Sequence, residues 1–465
     1  MAFFDNSNAQ NYSAADVEAL NKALSAGAGT DSSQFTGGRA LIPEDCEQET
    51  LNILAQSKED CKVMSSIKTT KVGSTVHEKN LRDDEGDYKH LSVVEGDDSP
   101  IETNQSIKRK TFDMKFLQTK RGITQQMIAA ETFEGALASE KISGINTIMK
   151  ACEYLCFHGD SAVVPTEFDG FEAQIRKAAN ADQNIIDLRG VSVGTYGEKL
   201  FDEISGNIFE KGGFVDKTLF PAVLAKDIKE LFADRIRFDV ADRFGALQQL
   251  PAYPTATGST IKFVGEGAGA DKFYHVKGKV AAEGNATFRP AAPASVTASA
   301  ASATGSKFVA ADAGDYKYTV HAINAAGISA GTAVAAAVTV AAGEGVTLTI
   351  TPGSGVKATG YIICRSKKDG DEVMEMVRVA DSGEATTTYK DINEELPGTA
   401  SMLFLTENKI QSIYNFGQLM PVSTIPLGKR AAIDEFLVAT YGALELYAPK
   451  YCGLVKGISY KGGLY

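Results

Sequence analysis

Residues 1–40 are rich in Ser, Asn, Ala and Gly, and within the first 60 residues two apolar stretches carry helical spacing. Ser13-Ala14-Ala15-Asp16 resembles an N-cap ahead of Val17, Leu20 and Leu24. Pro43-Glu44 suits the first turn of a second helix, whose Leu51, Leu54 and Ala55 continue an apolar stripe to about Lys58. From Ser65 to Thr75 and from Ser106 to Thr119 the pattern turns extended, with Ile107, Thr111, Phe112, Met114 and Phe116 recurring among Lys and Arg. Acidic, Gly-containing tracts lie between, at Asp83-Asp84-Glu85-Gly86-Asp87 and Glu95-Gly96-Asp97-Asp98. This predicts a long hairpin with a solvated acidic tip. A two-stranded ribbon is marginal alone in water, so it needs a partner surface.

Phe133, Leu137, Ile145, Ile148, Met149, Cys152, Leu155 and Cys156 fall at helical intervals, which predicts one long amphipathic helix closed by Gly159. Beyond the turn signals Pro165 and Phe168-Asp169-Gly170, the pattern predicts helices near Tyr196–Glu210 and Asp227–Asp234 and a strand near Thr218–Leu224. After Arg289 the composition shifts to PAAPASVTASAASATGS, and short strands punctuated by Gly follow. Strands are expected at Tyr316–Ala322, half-buried by its alternation, and at Val334–Val340, Val346–Ile350, Tyr361–Arg365, Glu372–Val379 and Thr386–Tyr389. Such spacing suggests an inserted all-β sandwich, ending near Leu396-Pro397-Gly398. The whole reads as α+β.

Length and charge narrow the function. A chain of 465 residues suggests about two to four domains. A net charge of −12 argues against simple electrostatic binding of nucleic acid, which Lys and Arg drive by displacing counterions. No run approaches the ~18 apolar residues of a membrane span. MAFFDNSNAQNYS has neither the basic nor the apolar region of a secretion signal. Cys46, Cys61, Cys152, Cys156, Cys364 and Cys452 form no close, regular framework and fit a reducing compartment. The absence of Trp excludes the Trp-centred core of antibody-type domains.

Catalytic signals are weak. The sequence lacks His-Glu-x-x-His, a Walker loop, Gly-x-Ser-x-Gly and Cys-x-x-Cys. Cys152 and Cys156, one helical turn apart near His158, offer soft metal ligands but also continue the apolar stripe, and core packing is the expected reading. Gly159-Asp160-Ser161 reads as a helix end and turn, not a nucleophile block. Gly265-Glu266-Gly267-Ala268-Gly269 reads as a flexible loop, because its spacing is wrong for a dinucleotide turn and Glu266 would repel phosphate. No catalytic, cofactor-binding or metal residue is assigned. The strongest charge feature is Lys108-Arg109-Lys110 with Lys115, Lys120 and Arg121. Either it is a solvated strand face or, with Arg82, it meets an acidic neighbouring subunit, since aligned charges set register and partner choice. The candidate assembly residues are therefore Arg82, Lys108, Arg109, Lys110, Lys120 and Arg121.

In this order the pieces resemble the major capsid proteins of tailed bacteriophages, and more narrowly those of large contractile-tailed phages of Gram-positive hosts. Phe157-His158-Gly159-Asp160 follows the long helix, and Glu167-Phe168-Asp169-Gly170-Phe171 comes next. Pro290-Ala291-Ala292-Pro293-Ala294-Ser295-Val296-Thr297-Ala298 matches the entry to an immunoglobulin-like insertion. Leu419-Met420-Pro421 through Ile425-Pro426-Leu427, Tyr441-Gly442-Ala443-Leu444 through Ala448-Pro449-Lys450, and a closing strand to Tyr460 complete the match. The resemblance implies the tailed-phage capsid fold. Its parts would be an N-terminal arm (1–64), an extended hairpin loop (65–122), a peripheral domain with a spine helix (123–185), an axial domain (186–290), an immunoglobulin-like insertion (291–402), and the axial completion with a return strand (403–465). It implies a virion protein assembled in the host bacterial cytoplasm, with no enzyme activity, cofactor or membrane. Pentamers and hexamers of itself would enclose double-stranded DNA, with portal and scaffold proteins and decoration proteins as further partners. Gly122 and Gly212-Gly213 are candidate hinges between ring contexts. An encapsulin-like nanocompartment shell is the alternative.

Overall fold

The computed structural model describes residues 61–84, 92–96, 105–129, 135–178, 181–232, 252–265, 276–407, 412–429 and 432–465. The expectations for residues 1–60, for most of the acidic tip and for Glu266–Gly269 lie outside the described residues. The helices are α1 (Lys62–Ser66), α2 (Gln125–Ala129), α3 (Ala136–His158), α4 (Phe171–Arg176), α5 (Ala181–Asn184), α6 (Val193–Tyr196), α7 (Lys199–Phe209) and α8 (Ala222–Leu231).

The 23 residues of α3 span about 35 Å. Its C-terminal half carries the buried stripe Ile148, Cys152, Leu155, Cys156 and Phe157, whereas Leu137 and Ile142 near its start are exposed. The stripe packs on a four-stranded sheet ordered β1 (Thr69–Lys71), β21 (Tyr414–Pro426), β22 (Ile433–Leu446) and β4 (Lys115–Thr124), whose buried side chains include Phe416, Val438 and Leu444. Gly159 does end α3, but with φ −62 and not the left-handed turn that its position suggested. A Cβ there would stand 2.2 Å from the Phe168 carbonyl, and one on Gly170 would stand 2.6 Å from the Cys156 carbonyl. Both glycines serve close backbone approach, and the Gly170 amide donates to the Gly159 carbonyl at 2.9 Å.

A second core surrounds a six-stranded sheet ordered β5 (Ile185–Asp187), β23 (Gly453–Ile458), β20 (Ala400–Leu405), β6 (Lys217–Phe220), β8 (Thr260–Gly265) and β7 (Ala252–Pro254). Leu200, Phe201, Ile204 and Ile208 of α7 and Leu224 of α8 pack on it with Met402 and Phe404. The helix expected near Tyr196–Glu210 is α7, which starts at Lys199 because Gly197 turns the chain with φ +86, and the short α6 precedes that turn. The strand near Thr218–Leu224 stops at Phe220, since Pro221 has no amide for the ladder and opens α8.

Residues 283–398 hold two facing antiparallel sheets. One is β10 (Ser295–Ser302), β16 (Glu344–Thr351) and β19 (Thr387–Asp391). The other is β18 (Val373–Ala380), β17 (Gly360–Ser366), β12 (Tyr318–Asn324), β13 (Gly327–Ile328) and β9 (Glu283–Gly284), with β14 (Thr332–Ala333) beside β12. A ribbon of β11 (Gly314–Tyr316) and β15 (Val338–Val340) flanks them. Between the sheets lie Val296, Tyr318, Val320, Leu348, Ile350, Ile363 and Met376. Two expectations change. Strand β12 is buried on both faces instead of one, because Val163 and Val164, from the loop after α3, form a small core with Ile323 and Ile362. Strand β10 is a full eight-residue strand that its Ala and Ser content hides, those residues having weak β-propensity.

The hairpin is also redrawn. Its strands are β2 (Val76–Asp84) and β3 (Ser106–Asp113), whereas the expected Ser65–Thr75 strand is α1 plus three residues of β1 lying parallel to β21. The expected Ser106–Thr119 strand breaks at Met114, whose amide donates to the Thr75 carbonyl at 2.8 Å, and β4 then joins β22.

Candidate assembly interface

The basic residues divide between two sheets. On β3, Lys108 and Lys110 share one face and Arg109 takes the other, while Arg82 lies across the ladder from Ile107. Lys120 and Arg121 belong to β4. The run therefore does not form a single patch.

The base of the hairpin is locked to β22 within the chain. Glu445 is fully buried; its Oε1 lies 2.6 Å from His77 Nδ1, and its Oε2 accepts from the Tyr447 hydroxyl at 2.5 Å. Lys79 Nζ sits 3.6 Å from the Tyr447 ring centroid, and the Phe112 and Tyr447 rings meet edge to face at 5.8 Å. Lys110 Nζ donates to the Leu446 carbonyl at 2.7 Å, and burial lowers its pKa to about 8. Lys110 is thus an anchor inside its own chain. Arg109 pairs with Glu78 at 3.1 Å, both exposed and so worth little. Lys120 pairs with Glu435 at 2.6 Å, and Arg121 reaches Glu140 at 3.1 Å and Thr147 at 2.9 Å. Arg82 and Lys108 are exposed on the hairpin.

A second polar centre joins the two-sheet unit to the rest of the chain. Glu395, just beyond β19, receives Arg176 of α4 at 2.8 Å, Lys456 of β23 at 2.7 Å and Lys277 at 2.7 Å. Burial alone would raise its pKa, but Lys277, Arg176 and Lys456 outweigh that and hold the carboxyl well below the usual carboxylate range. Around it, Arg189 donates to the Asn393 carbonyl at 2.7 Å and Arg378 to the Tyr154 hydroxyl at 3.3 Å. No local pattern marks Glu395 or Glu445, since lone glutamates in loops and strands look like solvated charges.

The other chemical candidates fall into packing roles. Cys152 and Cys156 lie in the core, where burial pushes the Cys152 thiol up to about 12 and holds the Cys156 thiol well above its ordinary value. His158 stacks on Tyr154 with ring centroids 4.4 Å apart. Lys177 bridges Asp160 and Asp169 at 3.0 Å each, and the Ser161 amide donates to Asp169 at 2.8 Å. Among the described residues, no three His, Cys, Asp or Glu side chains gather so as to hold a metal ion. Gly122 lies within β4 opposite Glu435, and Gly212 takes φ +88 in the turn after α7.

Glu153 is the buried acid of α3. It accepts the Val63 amide at 3.0 Å and the Met64 amide at 2.8 Å, fastening α1 to the long helix. Burial raises its pKa to about 7, overriding these two bonds, which favour the anion. The folded chain then holds this proton more tightly than the unfolded one, so the contribution is full below pH 4.5 and is lost as pH rises through 7. Denaturation midpoints of the full chain should fall between pH 5 and pH 8, and Glu153→Gln should flatten that slope. Equal slopes for both chains would contradict the assignment.

Comparison with known proteins adds the lineage. A family described as SU10 major capsid protein matches residues 28–266. A protein of Enterococcus phage phiEF24C, provisionally named a major capsid protein, is 24% identical over 382 residues, 78% of each chain. The major capsid protein of Staphylococcus phage K is 37% identical over 89 residues, 19% of each chain. Among solved structures, the capsid of the myovirus phage XM1 aligns with TM-score 0.44 and 9% identity, covering 92% of this chain and 100% of that one. The capsid of a native GTA particle aligns with TM-score 0.46 and 8% identity, covering 93% and 100%.

Proposed function

The chain belongs to the SU10 major capsid protein family and is the major capsid protein of a tailed phage, a structural part of its virion; on that premise we propose how it builds the shell. Rings of five and six copies close into an icosahedral head around double-stranded DNA, with a portal at one vertex and a scaffold guiding assembly in the host cytoplasm. The N-terminal arm, hairpin, spine helix, peripheral and axial domains are those of the tailed-phage capsid fold, and residues 283–398 form an immunoglobulin-like insertion on the outer face. The observation that carries the reading is the family match over residues 28–266, which includes the hairpin. The hairpin itself supports it. Beyond its anchored base, β3 exposes three consecutive residues, Ile107, Lys108 and Arg109, and Ile107 is 56% exposed, as expected of a ribbon finished by a neighbouring subunit. The net charge of −12 keeps the lining from holding the genome.

Arg82 and Lys108 are exposed charges of the hairpin, on the surface that an acidic neighbour would meet. Reversing both, Arg82→Glu with Lys108→Glu, should lower the yield of fast-sedimenting shells and their resistance to added salt, while the unassembled chain keeps its unfolding midpoint. Unchanged yield and salt resistance would remove these residues from the interface.

The two-sheet unit is dispensable for closure in this account. Replacing residues 285–394 with a short Gly/Ser linker keeps Glu395 and its three cations, and shells of unchanged diameter should form. A folded chain that no longer assembles would make the unit an integral contact.

A further inference from the structure

The two sheets of residues 283–398 end in edge strands, and all of these but one are blunted against further pairing. Strand β19 carries the exposed Lys390. Strand β18 carries Glu375 and Arg378, and its Glu375 amide donates to the Gly278 carbonyl at 2.8 Å. Strands β9, β14 and β15 are only two or three residues long. Strand β10 has none of these defences. It runs from Ser295 to Ser302 without a charge or a proline, in one unbroken register with β16. Its ladder has a definite sense. The Ala303 amide donates to the Gly343 carbonyl on that same register, so the odd-numbered residues bond to β16 and the backbone amides and carbonyls of Val296, Ala298, Ala300 and Ser302 point away from it. Among the described residues, no strand and no backbone hydrogen bond meets this outer side.

Charge says which occupant fits. Copies of a chain with net charge −12 repel one another, yet residues 290–306 and 325–343 hold no Asp, Glu, Lys, Arg or His. The second of these runs supplies β14 and β15, which lie beside β10: the Thr332 hydroxyl donates to the Pro293 carbonyl at 2.8 Å, and Val340 packs with Val296. Two copies can meet here without opposing like charges. We propose that β10 pairs antiparallel with β10 of a second copy of this chain, joining two three-stranded sheets into one of six. The ladder dictates the register. Only even-numbered residues can exchange hydrogen bonds across the new edge, and setting Val296 against Ser302 and Ala298 against Ala300 uses all four in both copies, about eight bonds. Ser299, exposed on the outer face, then meets its counterpart on the twofold axis with Cα atoms about 4.5 Å apart. The pairing ties copies together without being a condition of shell closure, and it rests on the geometry of this unit independently of the shell reading.

Mild oxidation of the full-length Ser299→Cys chain, read on a non-reducing gel, tests it. The paired positions fall within the roughly 4.4–6.8 Å Cα separation of a disulfide, so linked dimers are expected at about tenfold the level given by Thr388→Cys, a control on the exposed face of β19. No link above the wild-type background, or equal links from both positions, would overturn the proposal, whether or not closed shells form. Amide exchange gives an independent reading. In the concentrated wild-type chain the peptide covering residues 295–302 should exchange about tenfold more slowly than in the dilute chain, and Ser299→Lys, which sets two ammonium groups face to face, should abolish that slowing while β16 keeps its protection. Exchange that ignores both concentration and Ser299→Lys would also overturn it.

Discussion

Replacing Asp391 with Ala should cost the protein about 3–5 kcal/mol, the range for stripping the countercharge from a buried ion. Arg365 is fully buried between the two sheets, with Nη1 2.6 Å from Asp391 Oδ2 and Nη2 2.7 Å from Asn393 Oδ1. The Tyr318 hydroxyl donates to the same Asp391 oxygen at 2.9 Å, and the guanidinium lies 5.4 Å and 5.2 Å from the Phe308 and Tyr316 ring centroids. The rings and Asn393 orient the cation but cannot neutralise it. Asn393 holds its place through φ +59, a left-handed conformation that Asn tolerates, stabilised by its amide donating to Asp391 Oδ1 at 2.8 Å. Asp391→Ala therefore loses the countercharge and the turn together. The double change Arg365→Met with Asp391→Leu should recover much of the loss, because the net worth of a buried pair is small compared with the cost of half of one. Chemical denaturation of the full chain measures both. A loss under about 1 kcal/mol for Asp391→Ala would mean that water reaches Arg365.

Glu395→Gln is the second large effect. The amide keeps hydrogen-bonding capacity but leaves Arg176, Lys277 and Lys456 gathered without their shared anion. About 3 kcal/mol is expected, the low end for a broken buried pair, because the Arg176 side chain stays 33% exposed. The pH dependence separates this from simple misfolding. Glu395 has a depressed pKa in the fold, so its contribution is present above about pH 4.5 and is lost as pH falls toward the native value. The gap between the wild-type chain and Glu395→Gln should narrow steadily below pH 4.5. The two-sheet unit should also melt separately from the rest in calorimetry, since Glu395 is the shared partner of α4, β23 and Lys277. A pH-independent gap with one cooperative transition would contradict the assigned role.

Legibility in the sequence followed periodicity. The long helix was readable because its stripe recurs at 3.6-residue spacing over six turns, β12 and β16 because their apolar residues alternate, and β17 because Tyr361-Ile362-Ile363 is a short apolar run rich in β-branched and aromatic residues. Strand β10 was not, since Val296 stands among Ala and Ser. The hairpin's first strand was misplaced because β2 has only Val76 and Leu81 as large apolar residues, its ladder being completed by β3. The basic residues were visible as charge, but their division between two sheets depends on the break at Met114, which no local signal marks. Glu153, Glu395, Glu445 and the Arg365–Asp391 pair were invisible for a common reason. Each draws its partners from residues far apart in the chain, and burial of a charge is a property of the fold.

Electron cryomicroscopy of the chain co-expressed with its adjacent phage genes shows whether it closes into a shell by lending its hairpin to a neighbour. Closed icosahedral particles with rings of five and six subunits are expected, each β2–β3 hairpin lying on the adjacent subunit while His77 and Lys110 keep its base on their own β22. Monodisperse single chains under every condition, or shells whose hairpins fold back onto their own subunit, would contradict it.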